Sequence, residues 1–475
     1  MELLQVRQGE PWLITAAGES FWSRLAHYQQ ALASQPPREI LLVAEHPVEF
    51  LAAFLAAIQS PGRVWLANPQ WGQQEWAQVA SQCHADVVWG LSPAMESTVR
   101  GWLERYRQDS SLRPRSVSSA PQILIATGGS SGNLRFAVHT WQTLTSAVQG
   151  FCAHFDCSAV DAYCVLPLHH VSGLMQALRC WLSGGQLVVQ PFRELLDHGA
   201  IALSTDNSFI SLVPTQLQRL LQSDRGFVPW LQAFDAILLG GAPAWPDLLA
   251  RSRALNLPLA PTYGMTETAA QVATLLPQEF LQGQSGSGRA LPHAQLFIYS
   301  KAAQPLPTGE VGQIAIATPA LAVATGNTRL SSPWLTGDIG YVDPAGYLHV
   351  LGRVQTLIMT GGEKVLPEEV EAAILATRLV SDVAVLGIPD ADWGDCVVAV
   401  VASPNGQIPP ALPPSLKGQL SPYKIPKRWL ARPTLPRNRQ GKLNRPALQR
   451  WAIAQISPTS VTTAPTPATA PDADG

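Results

Sequence analysis

The sequence contains few cysteines, and their spacing excludes two common kinds of site. Six cysteines occur irregularly in 475 residues, and no two of them form the Cys-x-x-Cys pair that many zinc and redox sites use. We therefore expect reduced, buried thiols of a cytosolic protein. The six are Cys83, Cys152, Cys157, Cys164, Cys180 and Cys396.

Charge is also scarce, and neither sign dominates. Charged residues make up 14% of the chain, with 32 Lys and Arg against 34 Asp and Glu and a formal net charge of −2. The chain has no long run of one sign, whereas a nucleic-acid-binding surface shows as a basic stripe or domain. The composition therefore predicts no nucleic acid partner.

Long apolar runs are missing as well. The longest, "FLAAFLAAI" at residues 50–58, is about half of the ~18 residues that a transmembrane helix requires. The first residues, "MELLQVRQGEPWLITAAGES", have neither the basic start nor the continuous apolar core of a signal peptide. We expect a cytoplasmic protein without a membrane span.

The chain has enough apolar material for more than one core. Hydrophobic residues make up 46% of its 475 residues, and single cores stop growing at roughly 250–300 residues, so we expect at least two domains. Short runs rich in Val, Ile and Leu alternate with helical patterns, as in "EILLVAE" before "PVEFLAAFLAAIQ" and "FISLVP" before "TQLQRLLQS". This alternation is typical of parallel βαβ units and predicts an α/β fold.

The pattern changes at about Gly286. Shorter strands between Pro/Gly turns, such as "AQLFIYS" and "GQIAIAT", predict a small β-rich subdomain. Beyond "GRVQTL", the helix "PEEVEAAILA" and the strand "CVVAVVAS" predict a smaller α+β domain. We place a large N-terminal domain of α/β and β-rich subdomains at residues 1–354, a C-terminal domain at 355–456 and a disordered Pro/Thr/Ala-rich tail at 457–475.

Residues 127–135, "TGGSSGNLR", follow the apolar run "QILIA". Consecutive glycines and hydroxyl residues let backbone N–H groups surround an anion, and a helix that starts near Thr140 would add its positive end. The stretch predicts a phosphate loop, although not a Walker A loop, because Asn133 rather than Lys follows Gly132. A flexible surface loop is the alternative, since Gly/Ser loops are common.

Two further short motifs are ambiguous when each is taken alone. In "YGMTE", residues 263–267, the tyrosine, hydroxyl and carboxylate could supply a stacking ring, a phosphate contact and an Mg²⁺ ligand. Alternatively, Thr266 caps a helix that has Glu267 in its first turn. Asp338 of "TGD" either contacts a ligand or bonds its own backbone, as a turn aspartate usually does.

In their joint order, the motifs resemble the adenylate-forming superfamily of acyl- and aryl-CoA ligases, peptide-synthetase adenylation domains and luciferases. The short chain and "PLHHVSGLMQAL" are most similar to the o-succinylbenzoate–CoA ligases of menaquinone and phylloquinone biosynthesis. The resemblance implies an ATP- and Mg²⁺-dependent ligase that forms an acyl-AMP and then a thioester of coenzyme A. The segments that carry it are "TGGSSGNLR", "PLHHVSG", "GGAP", "YGMTE", "TGD", "GRVQTLIMTGGEKVLPEEVE" and "PRNRQGK".

The resemblance also implies roles for individual residues, with Lys442, Thr266, Glu267 and His170 as the catalytic set. His170 would lie between acyl and thiol channels; a buried structural histidine is the alternative. For the nucleotide phosphates, the implied binding residues are Thr127, Gly128, Gly129, Ser130, Ser131, Gly132 and Arg135 for the β- and γ-phosphates, Thr266 for phosphate and Glu267 for Mg²⁺. Tyr263, Gly240, Gly241 and Ala242 would contact adenine, Asp338 and Arg353 would contact ribose, and Gly264 is a further nucleotide-binding residue. Lys442 would bridge the acid carboxylate and the α-phosphate.

Two positions depart from the family pattern. The phosphate loop commonly ends Pro-Lys, and here Leu134 and Arg135 stand there, so the charge survives. The hinge residue is often Asp or Lys, and here it is Gln355. The resemblance implies that the C-terminal domain is mobile and rotates about Gln355, exchanging Lys442 for the "TGGEKVLPEE" face before the thiol attacks.

The partners are only partly defined. The alternatives to 2-succinylbenzoate are another aryl or fatty acid, or a carrier protein loaded by a stand-alone adenylation enzyme. The stretch after Lys442 is shorter than the ~50 residues of a small domain, so we expect no fused carrier. Arg179 and His169 are the candidates for binding a second carboxylate, and both a monomer and a homo-oligomer stay open.

Overall fold

A computed structural model describes residues 7, 9–15, 20–34, 39–91, 97, 99–101, 120–128, 134–203, 207–390, 392–437 and 443–456. The helices of these residues are α1 (Phe21–Ser34), α2 (Pro47–Ala57), α3 (Gln73–Ala80), α4 (Trp141–Phe155), α5 (Val171–Ser183), α6 (Phe192–His198), α7 (Pro214–Gln222), α8 (Val228–Gln232), α9 (Pro246–Ala254), α10 (Pro277–Leu281), α11 (Pro367–Ala376), α12 (Leu412–Ser415) and α13 (Arg445–Ile456). The strands are β1 (Leu13–Ile14), β2 (Glu39–Leu42), β3 (Arg63–Leu66), β4 (Val87–Trp89), β5 (Gln122–Gly128), β6 (Leu134–Thr140), β7 (Asp161–Cys164), β8 (Leu187–Val189), β9 (Ser208–Leu212), β10 (Ala236–Leu239), β11 (Leu259–Met265), β12 (Ala270–Thr274), β13 (Arg289–Ala290), β14 (Gln295–Tyr299), β15 (Gly312–Ala317), β16 (Ala324–Thr325), β17 (Thr328–Arg329), β18 (Trp334–Val342), β19 (Leu348–Arg353), β20 (Ile358–Thr360), β21 (Glu363–Val365), β22 (Val383–Asp390), β23 (Gly394–Ala402) and β24 (Arg428–Arg432). Single 3₁₀ turns lie at Thr266–Thr268, Val354–Thr356 and Pro422–Lys424.

The largest sheet has the strand order β1-β8-β7-β9-β10-β11-β12-β13. Its first six strands are parallel, whereas β12 and β13 run antiparallel to their neighbours. The continuous apolar run Ala236–Leu239 is buried throughout, as expected of a parallel strand that is covered on both faces. The carboxyl ends of β10 and β11 therefore meet at one edge of the sheet, which is where open α/β sheets bind ligands.

A second sheet has the order β17-β16-β6-β5-β3-β2-β4 and joins the first through a common core. Strands β4, β2, β3 and β5 are parallel, and β5 and β6 form an antiparallel hairpin. Helix α2 lies in the common core, with Val48 and residues 50–57 all buried. Its apolar sequence therefore makes an internal helix, since a helix that is apolar all round must be covered.

Strands β14, β15, β18 and β19 form the predicted small antiparallel sheet. Its side chains Ile298 and Ile314 share a buried cluster with Tyr263 of β11 and Val272 of β12. This packing attaches the small sheet to the edge of the largest sheet. As a result, β18 is held beside the strand that carries Tyr263.

The C-terminal residues form their own sheet, in the order β21-β20-β23-β22 with β24 paired to β23. Each face has a separate apolar cluster, one including residues of α11 and the other residues of α13. A bidentate ion pair joins this part to α9: Arg378 Nε lies 2.6 Å from Asp247 Oδ2, and Arg378 Nη2 lies 3.1 Å from Oδ1. Because both side chains are exposed, water and salt screen this contact.

The α/β architecture, with a large N-terminal part and a smaller C-terminal part, confirms the predicted fold class. Within the described ranges, no helix has both the length and the apolar character needed to cross a lipid bilayer. All six cysteines are free thiols, as predicted. Five are buried, and Cys152 is only half-buried.

Candidate functional site

The predicted phosphate loop lies at the tip of the β5–β6 hairpin. Thr127 pairs with Arg135, and Gly128 pairs with Leu134, so both flanks of the loop are held in register. The connecting residues Gly129, Ser130, Ser131 and Gly132 lie outside the described residues. The guanidinium of Arg135, which replaces the usual lysine, extends from an exposed position at the start of β6.

The prediction that a helix near Thr140 adds its positive end to this loop is wrong. Helix α4 does begin there, because the Thr140 hydroxyl accepts from the Thr143 N–H at 3.2 Å and caps it. Thr140, however, pairs with Gln122 at the opposite end of the hairpin from Gly128. At about 3.3 Å per residue, the length of β6 puts roughly 20 Å between the helix end and the loop. The sequence "LRFAVHT" pairs as a strand, with Phe136 and Ala137 buried, before the helix starts.

The residues Thr266 and Glu267 form a tight turn where β11 ends. Thr268, rather than Thr266, stabilises this turn: its hydroxyl accepts from the Met265 N–H at 3.1 Å and donates to the Ala270 carbonyl at 2.7 Å. The alternative in which Thr266 caps a helix is therefore wrong. Strands β5 and β6 both contact the turn, and His139 Nε2 lies 2.8 Å from the Thr266 carbonyl oxygen, so the structure packs the "YGMTE" motif against the hairpin that carries the predicted phosphate loop.

The Glu267 carboxylate is suited to bind a hard cation. It is half-buried, and within the described part of the chain it has no ion pair, while its main chain is fixed by the Ala322 N–H, which donates to the Glu267 carbonyl at 2.7 Å. Nucleotide-bound Mg²⁺ keeps several waters and takes only one or two protein carboxylates. No group of three or more ligating side chains gathers elsewhere among the described residues. A single carboxylate without an ion pair among the described residues fits this mode of Mg²⁺ binding.

The residues Gly240, Gly241 and Ala242 follow β10 directly, at the ligand-binding edge. Strand β10 pairs in parallel with β11, so these residues lie beside the strand that leads to Tyr263. Gly241 has φ of 78°, which favours glycine. Gly264 is required for a different reason, because a Cβ there would lie 2.0 Å from the Ala270 carbonyl oxygen. Glycine therefore permits the close approach of β11 and β12.

Asp338 contacts two of the other predicted residues, Tyr263 and Arg353. It is 4% exposed, its Oδ2 accepts from the Tyr263 hydroxyl at 2.7 Å, and its Oδ1 accepts from Arg353 Nε at 2.8 Å. Asp338 and Arg353 face each other in the β18–β19 register. The alternative in which Asp338 is a turn aspartate that bonds its own backbone is wrong, because it lies within a strand and its carboxylate bonds distant side chains.

Burial raises the pKa of the Tyr263 hydroxyl well above its usual range, and the Asp338 charge raises it further. Tyr263 therefore keeps its proton and acts as the donor in this pair. The Tyr263 hydroxyl and the Arg353 guanidinium, with one bond to each oxygen, fix the orientation of the Asp338 carboxylate. The predicted ribose-binding residue is thus oriented by Arg353 and by the tyrosine assigned to adenine.

We expect Tyr263→Phe to reduce the free energy of unfolding by about 1.5–3 kcal/mol, the usual contribution of a hydrogen bond to a charged group. Asp338 keeps its bond to Arg353, so the substitution should remove one bond and leave the rest of the pair in place. Urea-induced unfolding would measure it. The matched control is Tyr299→Phe, at a half-buried ring of β14; an equal loss in the control would contradict the assignment.

His170 is the residue that precedes α5, and its ring lies 4.3 Å from the ring of His169, centroid to centroid. Both histidines are half-buried, and the Nε2 atom of His169 is buried without a hydrogen-bond partner among the described residues. Burial lowers the pKa of His169 to about 4, so His169 is neutral near pH 7. The catalytic assignment of His170 stays a prediction.

Lys442 lies outside the described residues, but its flanks are fixed. Arg437 pairs with Leu443 in an antiparallel bridge. The Arg437 guanidinium also holds Asp382 through two short bonds, Nε to Oδ2 at 2.7 Å and Nη2 to Oδ1 at 2.6 Å. The sequence analysis did not identify this anchor, because Asp382 and Arg437 lie in different motifs and nothing local links them.

Arg179 is a buried cation on α5. It is 3% exposed, its Nη2 donates to Gln271 Oε1 at 2.5 Å, and its guanidinium lies 4.0 Å from the Phe151 ring centroid. Within the described residues it forms no ion pair, and its Nε and the Gln271 amide nitrogen lack acceptors. Burial lowers the pKa of Arg179 to about 10, which leaves it charged at pH 7. Arg179 and the Gln271 amide are therefore buried hydrogen-bond donors that have no anionic partner among the described residues.

Comparisons with known protein families match the N-terminal and the C-terminal parts of the chain separately. Residues 20–326 match the model of the AMP-binding enzyme family, and residues 369–442 match the AMP-binding enzyme C-terminal domain. A 2-succinylbenzoate–CoA ligase of Geobacillus kaustophilus is 34% identical over 334 residues, covering 68% of this chain and 67% of that protein. Its counterpart in Enterococcus faecalis is 27% identical over 92% of this chain and 93% of that protein.

The fold also matches a solved structure over nearly its whole length. The o-succinylbenzoate CoA synthetase of Bacillus subtilis, in complex with the acyl-adenylate intermediate, superimposes with a TM-score of 0.78 at 24% identity, covering 94% of this chain and 97% of that one. The same synthetase in complex with ATP and magnesium ion gives a TM-score of 0.77 at 23% identity, covering 94% and 98% of the two chains. At this identity the likeness establishes the fold.

Proposed function

This chain belongs to the AMP-binding enzyme family, and on that premise we propose that it is an ATP-dependent ligase that joins 2-succinylbenzoate to coenzyme A. The reaction has two steps because a carboxylate cannot acylate a thiol directly: its leaving group would be oxide. Transfer to AMP creates a mixed anhydride with a good leaving group. The thiol of coenzyme A then attacks the acyl carbon and releases AMP.

In the first step a carboxylate oxygen attacks the α-phosphorus and pyrophosphate leaves. The enzyme must bring two anions together, so catalysis depends on fixed positive charge and positioning. We assign residues 127–133 and Arg135 to the β- and γ-phosphates and Thr266 to phosphate. Glu267 would hold Mg²⁺, which offsets phosphate charge when bound. Lys442 would bridge the acid and the α-phosphate.

The nucleoside would lie along the carboxyl ends of β10 and β11, beside Asp338 in the middle of β18. Tyr263 of β11 is assigned to adenine together with Gly240–Ala242, which follow the adjacent parallel strand β10. Asp338 is assigned to the ribose diol, because its carboxylate is fixed in advance by Tyr263 and Arg353. A charge-assisted acceptor held in place by two donors is preorganised for a pair of hydroxyl groups.

In the second step Lys442 would leave the site and the thiol would enter. We propose that the C-terminal domain, residues 355–456, rotates about Gln355 between the two steps. Gln355 lies in the exposed single turn Val354–Thr356, between β19 and β20. His170, at the start of α5, is assigned to orienting the acid or gating the thiol channel.

The choice of a dicarboxylate rests on Arg179. Leaving a buried charge unpaired costs several kcal/mol, so a buried arginine without an anion calls for one. Gln271, its partner, pairs with Gly264 of β11, which places these donors next to the strand that ends at Met265, directly before Thr266. We assign Arg179 and the Gln271 amide to the distal carboxylate of 2-succinylbenzoate, in agreement with the names of the relatives at 34% and 27% identity.

The test compares 2-succinylbenzoate with benzoate and a medium-chain fatty acid, using coenzyme A or a carrier protein as acceptor. We expect the highest kcat/KM for 2-succinylbenzoate with coenzyme A. Arg179→Met should lower that value roughly 10- to 100-fold, the equivalent of a hydrogen bond to a charged group, and leave benzoate turnover nearly unchanged.

The matched control is Arg193→Met, at an exposed arginine of α6, which should behave as wild type. If benzoate or a fatty acid equals 2-succinylbenzoate in wild type, the substrate assignment is wrong, while the adenylate chemistry stands. Transfer to a carrier protein but not to coenzyme A would instead overturn the choice of acceptor.

A further inference from the structure

His139 lies outside every motif that the sequence analysis identified, yet both of its ring nitrogens are engaged. It is on β6, fully buried at 0% exposure. Its Nε2 lies 2.8 Å from the Thr266 carbonyl oxygen, and its Nδ1 lies 3.0 Å from the Thr143 hydroxyl. The ring therefore connects the β5–β6 hairpin, the start of α4 and the Thr266–Thr268 turn.

The partners define the tautomer of this ring. A carbonyl oxygen only accepts, so the Nε2 that faces Thr266 carries the hydrogen. Burial lowers the pKa of His139 to about 4, so the ring is neutral and Nδ1 must accept from the Thr143 hydroxyl. The competing acceptor for that hydroxyl is the Thr140 carbonyl at 2.9 Å, which, as the residue before a helix, already accepts a helical hydrogen bond.

A second set of bonds joins the same two segments. The Ala322 N–H donates to the Glu267 carbonyl at 2.7 Å, and the next residue, Val323, donates its N–H to the Val138 carbonyl at 2.9 Å. Val138 is adjacent to His139 on β6, and Glu267 is adjacent to Thr266. The hairpin and the turn are thus tied twice, once through a buried side chain and once through main chain.

We propose that His139 is a positioning residue for Mg²⁺-ATP, one that sets the separation between the β5–β6 hairpin and the Thr266–Glu267 turn. The inference rests on the proposed function, in which the hairpin holds the β- and γ-phosphates and the turn supplies Thr266 and Glu267. Because the imidazole bonds the main chain of Thr266, its loss moves the turn without removing any group that touches ATP. Affinity for Mg²⁺-ATP should fall while the acyl and thiol sites stay intact.

The test uses three substitutions in the full-length protein and titration with Mg²⁺ and ATP. His139→Leu removes both bonds and should weaken Mg²⁺-ATP binding roughly 3- to 10-fold, as expected for one hydrogen bond. His139→Gln places an amide N–H near the Nε2 position and should restore most of the affinity. His139→Asn reaches only toward the Nδ1 side and should resemble the leucine variant.

A second measurement distinguishes a positioning role of His139 from a general loss of structure in the variants. Thioester formation from supplied acyl-AMP and coenzyme A does not use the triphosphate site, so its rate should be unchanged in all three variants. The exposed His198→Leu is the control. Unchanged Mg²⁺-ATP affinity in the leucine variant would overturn the positioning role alone; failure of wild type to bind Mg²⁺-ATP would overturn it together with the proposed function. If the leucine variant does not fold, equal affinities for the glutamine and asparagine variants would overturn the role.

Discussion

Lys442→Ala is expected to slow acyl-AMP formation by a factor on the order of 10²–10³, the usual effect of removing one group that stabilises transition-state charge. The attacking carboxylate and the α-phosphate are both anionic, and the ammonium group of Lys442 is assigned to the point where they meet. Thioester formation from supplied acyl-AMP should keep its wild-type rate, because in that step a thiol attacks an acyl carbonyl and no carboxylate approaches the α-phosphate.

The two half-reactions can be measured separately. Pyrophosphate release reports acyl-AMP formation, and loss of free thiol after addition of synthetic acyl-AMP reports the second step. Lys417→Ala, at an exposed position of the C-terminal domain, is the matched control. The bridge of Arg437 to Leu443 and the Arg437–Asp382 ion pair fix both flanks of the segment, so the substitution should act locally. An equal loss of rate in both half-reactions would contradict the assignment of Lys442 to the first step.

Gln355→Pro is expected to have the opposite effect, preserving acyl-AMP formation and slowing thioester formation. Gln355 is the second residue of the Val354–Thr356 turn, and a helical φ near −65° is the value that proline imposes. The chain already tolerates Val followed by Pro at such a position, in Val228 and Pro229 of α8. A rotation that needs a different φ at residue 355 would cost roughly 3 kcal/mol, which is about 100-fold in the population of the second orientation.

The same paired assay measures this effect. Gln355→Ala, which removes the side chain but leaves φ free, should retain both activities and is the control. If overall turnover of the proline variant stays near wild type, the pivot lies elsewhere. A loss confined to acyl-AMP formation would contradict the proposed order of the two domain orientations.

The regular elements were predictable where one local pattern is decisive. "EILLVAE" and "FISLVP" are short apolar runs, and the structure has the largely buried strands Glu39–Leu42 and Ser208–Leu212 there. "LRFAVHT" has no such run, and its strand conformation depends on pairing with β5 and β16. That dependence explains why the helix after it was wrongly placed beside the phosphate loop.

The candidate site likewise contains contacts that the motifs predicted and contacts that no motif predicted. Motif residues such as Asp338 and Arg353 were expected together, and the sheet register brings them into contact. The pairs Arg179–Gln271, His139–Thr266 and Asp382–Arg437 were not expected as pairs, since 92, 127 and 55 positions of sequence separate them. Only the packing of whole sheets determines which distant side chains meet, so no local pattern could have found them.

The bonding of Asp338 has a consequence for the choice between nucleotide sugars. A carboxylate offers about four lone-pair positions, and the Tyr263 hydroxyl and Arg353 Nε use one on each oxygen. About two lone-pair positions of the carboxylate therefore remain, one for each hydroxyl group of the ribose diol. A 2′-deoxynucleotide would leave one of them facing no donor. Discrimination between ATP and dATP would therefore come from an acceptor that is aligned before any nucleotide arrives.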